Sequence, residues 1–222
     1  MPSAKSLLLL IGAALIAVVG GLLGSPWATG VGVVFALGVL GVFPPVTASA
    51  VPRVTRWLLW GGLLLLAAAV VVKVGGWWNS PFRDGSLTEG ELVTLLGDRA
   101  RQRTQFVRAL AVLGFQVLAC GCFGVAVALV PRDRLRGQKV GPLVIVGATA
   151  LAAATLRAAD SAWRSVPDPP PDSHTFTMTG VLVRIDTGPD IESAVAVGAL
   201  LLGAALIVLT CARLSMVDDV PP

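Results

Sequence analysis

Charged residues are scarce in this sequence of 222 residues. They make up 14% of the chain, whereas a water-soluble domain carries about 25%. Hydrophobic residues reach 55%, and the mean hydropathy is +0.82. The chain therefore lacks the polar surface of a soluble domain. Its length limits the number of membrane helices that it can form.

Residues that bind metals or form disulfides are also few. There is one histidine, His174, and three cysteines, Cys120, Cys122 and Cys211, each inside an apolar run. This excludes the disulfide framework of a small secreted domain and any zinc or haem spacing. The cysteines are weak candidates for a soft-metal site, but residues two apart on a helix point about 200° apart. Small buried thiols are the favoured interpretation, and the sequence predicts no cofactor.

Six apolar runs approach the length that crosses a bilayer. A helix needs about 20 apolar residues to cross the hydrocarbon core. A segment that crosses must be helical because lipid offers its backbone no hydrogen-bond partner. The predicted spans are residues 6–23, 27–43, 57–78, 109–130, 140–158 and 192–212. The first is longer than the apolar part of a typical signal peptide and is interpreted as an anchor. The sequence thus predicts an all-α integral membrane protein, a single membrane domain over residues 1–222 with a bundle of about six transmembrane helices.

Tryptophan and basic residues predict how the spans sit in the membrane. All six tryptophans lie near predicted span ends, where amphipathic rings prefer the headgroup level: Trp27, Trp57, Trp60, Trp77, Trp78 and Trp163. Lys and Arg are more densely packed in the loops on the side of both termini, which predicts cytoplasmic termini in the plasma membrane. Loops 79–108 and 159–191 then lie outside. The absence of tyrosine and the low lysine content are typical of a GC-rich prokaryotic gene.

The two outer loops carry local patterns of their own. Residues 86–108 read as an amphipathic helix that leads into the fourth span, either on the membrane surface or as a solvated extension. Residues 167–172 are proline-rich and favour an extended conformation. Residues 175–186 have a β-rich character, which predicts a small hairpin or an extended cap. The pairs Pro52-Arg53 and Pro131-Arg132 precede two spans, but chance explains this resemblance better than a duplication does.

A few polar residues fall within or beside the spans. Lys73, Arg157 and Asp160 lie near the outer ends of the third and fifth spans, and charge inside a membrane is a functional hypothesis by default. Arg157 and Asp160, three residues apart, can neutralise each other. Snorkelling to the interface is the favoured interpretation of the cations. Gln116, the amide well inside a span, can bind a solute or, more commonly, a neighbouring helix.

Small residues recur at four-residue spacing on several spans, a pattern that lets helices approach closely. The main sets are Ala13, Ala17 and Gly21; Cys120, Gly124 and Ala128; Ala150, Ala154 and Ala158; and Ala199 and Gly203. They predict a tight bundle or contacts with other membrane subunits or a second copy. Membrane lipids are the expected partners, and the absence of a dense basic domain argues against nucleic acid.

These observations leave three functional hypotheses. The leading one is a non-catalytic accessory, assembly or scaffold component of a membrane complex, because packing faces are abundant and central polar groups are scarce. The alternative is a small transporter or channel for an ion or a small polar or anionic solute, with Lys73, Gln116 and Arg157 along its path. The weakest is an enzyme acting on lipid or quinone through Arg157, Asp160 and His174.

Overall fold

The described part of the chain is entirely helical in its regular secondary structure. The computed structural model describes residues 4–42, 52–78, 98–130, 140–166 and 191–215. In chain order its helices are α1 (Ala4–Leu22), α2 (Pro26–Val42), α3 (Arg53–Trp78), α4 (Arg99–Ala128), α5 (Gly141–Arg164) and α6 (Ile191–Ser215). The predicted all-α class is confirmed for these ranges. The predicted proline-rich segment, the hairpin, Pro131-Arg132, His174 and residues 79–97 of the first outer loop lie outside them.

Five of the six described helices are long and apolar enough to cross a membrane: α1, α3, α4, α5 and α6. The remaining helix, α2, is also apolar, but with 17 residues it is shorter than the other five. At a rise of about 1.5 Å per residue it is about 26 Å long, near the lower limit for crossing the hydrocarbon core.

Large apolar side chains cover the outside of the bundle. Leu8 on α1, Leu64 on α3 and Leu156 on α5 are each more than 60% exposed, and every one of the six helices contributes such residues. Soluble monomers rarely expose contiguous apolar surface on this scale. The exterior is therefore compatible with lipid contact and with a membrane protein.

The helices form a closed ring in chain order. Each packs against the next, and α6 returns to contact α1. Neighbours run antiparallel: between α3 and α4, for example, Gly62 lies against Phe123 and Gly76 against Arg108. Helix α6 also contacts α2 and α4, and half of its most apolar segment is buried, the largest share in the bundle. One end of the bundle, which we call the Lys73 end, therefore collects the ends of α1, α3 and α5 and the starts of α2, α4 and α6.

A tight turn joins α1 to α2. Gly24 has a φ of +64°, a left-handed conformation that glycine adopts without the steric cost a Cβ brings. The amide of Ser25 donates to the carbonyl oxygen of Gly20 at 2.8 Å, which caps the end of α1. The Ser25 side chain then accepts from the amide of Ala28 at 3.4 Å, and Pro26 occupies the first position of α2, where its missing N–H costs nothing.

Several small residues on the predicted faces of α1 and α6 serve packing within the bundle, whereas Gly124 and Ala128 on the predicted face of α4 are exposed. A Cβ added to Gly32 of α2 would lie 2.5 Å from the backbone nitrogen of Ala17 on α1, and one added to Gly21 would lie 3.1 Å from the Cα of Ala194 on α6. A Cβ on Gly203 of α6 would lie 2.6 Å from the Cγ of Leu151 on α5. The close approach of these backbones supplies the dispersion contacts that hold membrane helices together.

Helix α4 begins at Arg99, so residues 99–108 continue the same helix as the predicted fourth span. Asp98 caps it: its carboxylate accepts from the amides of Ala100 at 3.0 Å and Arg101 at 3.3 Å. An acidic side chain at this position also interacts favourably with the helix dipole. The basic residues just before the fourth span therefore belong to the same helix as that span, and Arg108 among them contacts α3.

Candidate functional site

A cavity of about 610 Å³ opens at the Lys73 end of the bundle, between α3, α4, α5 and α6. Its volume lies within the usual range for small-molecule sites. Three of the polar residues singled out in the sequence, Lys73, Gln116 and Arg157, line it together. Asp160 does not line the cavity, but it forms an ion pair with Arg157, which does.

The lining of this cavity is positively charged. Lys73 comes from α3, Arg101 and Arg108 from α4, and Arg157 from α5, and no acidic side chain lines the cavity among the described residues. Charges of one sign that converge on a concave surface with low-dielectric walls attract ions of the opposite sign. The cavity is therefore suited electrostatically to an anion.

Helix α4 supplies the longest polar stripe. Its lining residues recur at the i, i+3, i+4 intervals of one helical face: Arg101, Thr104, Gln105, Arg108, Ala109, Val112 and Gln116. The facing residues of α5, which include Arg157, Ser161 and Ser165, follow the same spacing. Two amphipathic helix faces thus form opposite polar walls.

Arg108 contacts a neutral backbone group of α3 rather than an acid. It is half-buried, and its Nη1 donates to the backbone carbonyl oxygen of Gly76 on α3 at 3.5 Å, the outer limit of a hydrogen bond. Arg108 forms no ion pair within the described part of the chain. A guanidinium has five N–H donors, so most of the hydrogen-bonding capacity of Arg108 is available to a ligand.

Arg157 is compensated by two acids. Its guanidinium bonds Asp160 on the same helix at 2.7 Å and forms an ion pair with Glu192 in the first turn of α6. Asp160 also binds Arg164 at 3.0 Å. These four side chains form a neutral chain that links α5 to α6, so Arg157 presents to the cavity a charge that is already partly balanced.

Gln116 lies deep in the cavity. It is eight residues from Arg108, a separation of about 12 Å along the helix axis. Its Oε1 is buried and has no hydrogen-bond partner among the described residues. Apolar residues of three helices also line the cavity, among them Ala69 and Val70 of α3, Val112 of α4 and Leu200 of α6. Charged, polar and apolar residues thus share the lining of the cavity, and Gln116 contributes an amide whose buried oxygen has no partner among the described residues.

The three cysteines have separate surroundings. Cys120 Sγ lies 3.5 Å from the hydroxyl of Thr155 on α5, whereas Cys122 Sγ lies beside Gly61 of α3. Cys211 is buried on α6. In the described ranges, no three His, Cys, Asp or Glu side chains come together in a way that could hold a metal ion.

A second, larger cavity of about 810 Å³ lies on the outer surface of α1, α2 and α3. Its lining is almost entirely apolar and includes Val31, Phe35, Val39 and Val71. A surface of this composition in a bilayer is covered by lipid chains. Ser6 and Trp27 supply the polar side-chain groups of its lining.

Sequence reasoning missed Arg101 and Arg108 as members of the site. Both fell before the predicted start of the fourth span and were interpreted as part of an outer amphipathic segment. The spacing of these residues could have identified them. Arg101, Arg108 and Gln116 share one helical face once the helix is extended back to residue 99. The proximity of that face to Lys73 depends on the contact between α3 and α4, which no local pattern encodes.

Comparison of the chain with protein-family models, with curated proteins and with solved structures finds no match.

Proposed function

We propose that this chain is a multi-pass membrane protein that binds a small anionic solute in the cavity at the Lys73 end, as a transporter or channel does. The observation that carries the proposal is the convergence of four cationic side chains from three helices on a cavity without an acidic lining residue in the described part of the chain. Charge near or within a membrane is costly unless it serves a partner or a pathway. Here it surrounds a volume of about 610 Å³ that can admit such a partner.

The proposal includes a topology. All six helices cross the plasma membrane of a prokaryotic cell, both termini are cytoplasmic, and the Lys73 end faces outward. The crossing of α2 is supported by its place in the ring, where it packs between α1 and α3. The orientation is supported by the dense basic residues in the short loops on the side of the termini.

Two observations favour the transporter or channel hypothesis over the assembly hypothesis. Ala17, Gly21 and Gly203 pack against neighbouring helices of the same chain, so they are occupied in the folded bundle. At the same time Lys73, Gln116 and Arg157, which the sequence left as scattered candidates, line one cavity. Packing accounts for the first set of residues, and a bound anion accounts for the convergence of the second set.

Two measurements test the proposal. Thermal unfolding of the purified full chain in mild detergent is followed with a panel of anions and cations, since a ligand that binds the native state raises Tm. Flux of the anions that bind is then measured in proteoliposomes. We expect binding of at least one anion and none of the matched cations. If no anion binds and none crosses, the proposal is wrong.

Arg108→Gln provides the site-directed test. Loss of a charge-assisted hydrogen bond should weaken anion binding by about tenfold or more. The matched control is Arg103→Gln, because Arg103 lies on the same helix but is exposed and does not line the cavity. Equal loss in both variants would show that general surface charge, rather than the cavity, attracts the anion.

A second candidate, an accessory or assembly component, is supported by one face of α4. Gly114 and Gly121 are exposed, and a Cβ added to either would meet nothing within 4 Å. Exposed glycines on a membrane helix can admit a helix of another subunit or a second copy. Blue-native electrophoresis and crosslinking test this function: a larger complex lost in Gly121→Leu supports it, and a strictly monomeric protein in mild detergent argues against it.

A further inference from the structure

Charged and hydroxyl side chains from three helices lie within a short stretch of the cavity, and their chemistry indicates a class of anion. We propose that the ligand carries a tetrahedral oxyanion with two negative charges, a sulfate or phosphate group. Arg108 of α4, Lys73 of α3 and Ser161 of α5 bind its oxygens, and Arg157 adds positive charge. This assignment rests on the proposed function and specifies the substrate class of the same cavity.

Lys73 and Arg108 lie near one level of the bundle. The Nη1 of Arg108 donates to the carbonyl oxygen of Gly76 at 3.5 Å, which places these two residues side by side on α4 and α3. Lys73 precedes Gly76 by three residues. Because the two helices are antiparallel, Lys73 lies about 4.5 Å beyond Arg108 along the bundle. One guanidinium and one ammonium therefore converge on the same part of the cavity.

Ser161 reaches this part of the cavity from α5. Cys120 Sγ of α4 lies 3.5 Å from the hydroxyl of Thr155, and Ser161 follows Thr155 by six residues, toward the Lys73 end. Ser161 therefore lies about 9 Å from the level of Arg108, beyond Lys73. The long, flexible stems of lysine and arginine bridge separations of this size.

The hydrogen-bond donors of these residues match the oxygens of a tetrahedral ion. The guanidinium of Arg108 is a planar fork that binds oxygens of sulfate or phosphate in pairs, and Lys73 adds a compact ammonium. The hydroxyl of Ser165 already donates to the carbonyl oxygen of Ser161 at 2.6 Å, whereas the hydroxyl of Ser161 forms no hydrogen bond within the described ranges. Donors from α3, α4 and α5 approach from three sides, which suits a tetrahedral oxyanion better than a flat carboxylate.

The charge of the lining favours two negative charges on the ligand. Lys73, Arg101, Arg108 and Arg157 line the cavity, and the described part of the chain adds no acidic side chain to this lining. Arg157 contributes less than a full charge because Asp160 binds it at 2.7 Å. A dianion gives up more hydration than a singly charged ion, but its attraction to each cation is twice as strong. Several cations around one volume therefore select the dianion.

Four anions test the class of ligand. Binding of sulfate, methyl phosphate, acetate and chloride to the purified full chain in mild detergent is measured by isothermal titration calorimetry. We expect sulfate and methyl phosphate to bind at least about tenfold more tightly than acetate or chloride, the factor that one additional charge-assisted hydrogen bond supplies. Binding of acetate or chloride that equals that of sulfate would overturn the assignment.

Methyl phosphate tests the double charge by itself. The second pKa of a phosphate monoester is about 6, so methyl phosphate carries mainly two charges at about pH 7.5 and mainly one at about pH 5. Sulfate carries two charges at both, and it controls for titration of the protein. We expect the affinity for methyl phosphate to fall about tenfold on acidification, as its dianion is depleted, and the affinity for sulfate to be retained. Equal affinity for methyl phosphate at both pH values would contradict the preference for two charges.

Arg108→Lys tests the fork, because it keeps the positive charge and removes the paired donors. We expect sulfate affinity to fall about tenfold, while chloride, which needs only the charge, retains its affinity. Arg103 is exposed on the same helix and does not line the cavity, so Arg103→Lys is the matched control and should bind sulfate as the wild type does. Unchanged sulfate affinity in Arg108→Lys would contradict the role assigned to Arg108.

A free ion and the phosphomonoester headgroup of phosphatidic acid offer the same chemistry, and nanodiscs distinguish these two sources. Sulfate is titrated against the full chain in phosphatidylcholine nanodiscs that contain either phosphatidic acid or phosphatidylglycerol at equal surface charge. Sulfate binding that is weaker only with phosphatidic acid supports the headgroup as the ligand. Equal sulfate binding in both supports the free ion.

The same titrations distinguish a failure of this assignment from a failure of the proposed function. If acetate or chloride binds and loses affinity in Arg108→Gln, but sulfate and methyl phosphate do not bind, the anion cavity stands and the dianion assignment is wrong. If no anion of any class binds, the proposed function itself fails.

Discussion

Arg157 of α5 forms an ion pair with Glu192 in the first turn of α6, and the same guanidinium lines the cavity between α3, α4, α5 and α6. Asp160 holds it from its own helix at 2.7 Å. An anion that enters the cavity must therefore compete with two carboxylates for Arg157. The pair also joins α5 to α6 at the edge of the cavity.

Removal of the competing carboxylate should strengthen anion binding. In Glu192→Gln, Arg157 keeps its contact with Asp160 but loses its partner on α6, so more of its charge reaches the cavity. We expect anion affinity to rise by up to about fivefold, because an exposed ion pair contributes at most about 1 kcal/mol. Titration with the best anion from the thermal panel measures the change. Glu192→Asp, which keeps the charge, is the control, and weaker binding in Glu192→Gln would contradict the expected competition.

The contact between α5 and α6 should be intolerant of a single added methyl at Gly203. A Cβ there would lie 2.8 Å from the backbone oxygen of Gly147 and 2.6 Å from the Cγ of Leu151, so the helices must separate. We expect Gly203→Ala to reduce the free energy of unfolding by about 1–3 kcal/mol, measured as a lower Tm in detergent. Gly114→Ala, with open space around it, should leave Tm unchanged or slightly raised because alanine favours helix.

The place of the short helix α2 can be tested in the same way. A Cβ on Gly32 would lie 2.5 Å from the backbone nitrogen of Ala17 on α1, whereas one on Gly38 of the same helix would meet nothing within 4 Å. Gly32→Ala should therefore destabilise the protein and Gly38→Ala should not. Equal Tm values for the two variants would show that α2 does not pack against α1 as the structure describes.

The count of membrane crossings has its own prediction. Six crossings place both termini on the same side of the membrane, which we propose is the cytoplasm, whereas five crossings, with α2 left out, place them on opposite sides. We expect a green fluorescent protein fused to either terminus to fluoresce, and alkaline phosphatase to be active when it is fused after Arg83 but inactive after Arg134. Phosphatase activity at one terminus would rule out the six-crossing topology.

The helices themselves follow from local sequence to a large extent. Each apolar run predicted as a span corresponds to a helix, although α4 begins at Arg99 and α5 ends at Arg164, beyond the apolar windows. Polar residues at those ends continue the helix because Asp98 caps α4, and because Arg157, Asp160 and Arg164 pair at helical spacing on α5. Hydropathy locates a span, whereas capping and ion pairs decide where its helix stops.

The candidate site follows from the sequence only in part. Lys73, Gln116 and Arg157 stand out because polar groups are rare in apolar runs, and the opposed directions of Cys120 and Cys122 follow from helix geometry alone. Arg108 does not stand out, since an arginine at the end of a span is ordinary. Its significance depends on Gly76 of α3, which lies 32 positions earlier in the chain and faces it across the bundle.

The sequence by itself determined that the chain forms apolar helices suited to a membrane, because each run meets the length and composition that lipid demands independently of its neighbours. The tertiary structure decided which helices adjoin. That choice rests on close packing at positions such as Gly32 against Ala17 and Gly203 against Leu151, contacts between residues far apart in the chain. Only this packing brings Lys73, Arg108 and Gln116 to one cavity, since shape complementarity between helices is a property that no single helix possesses.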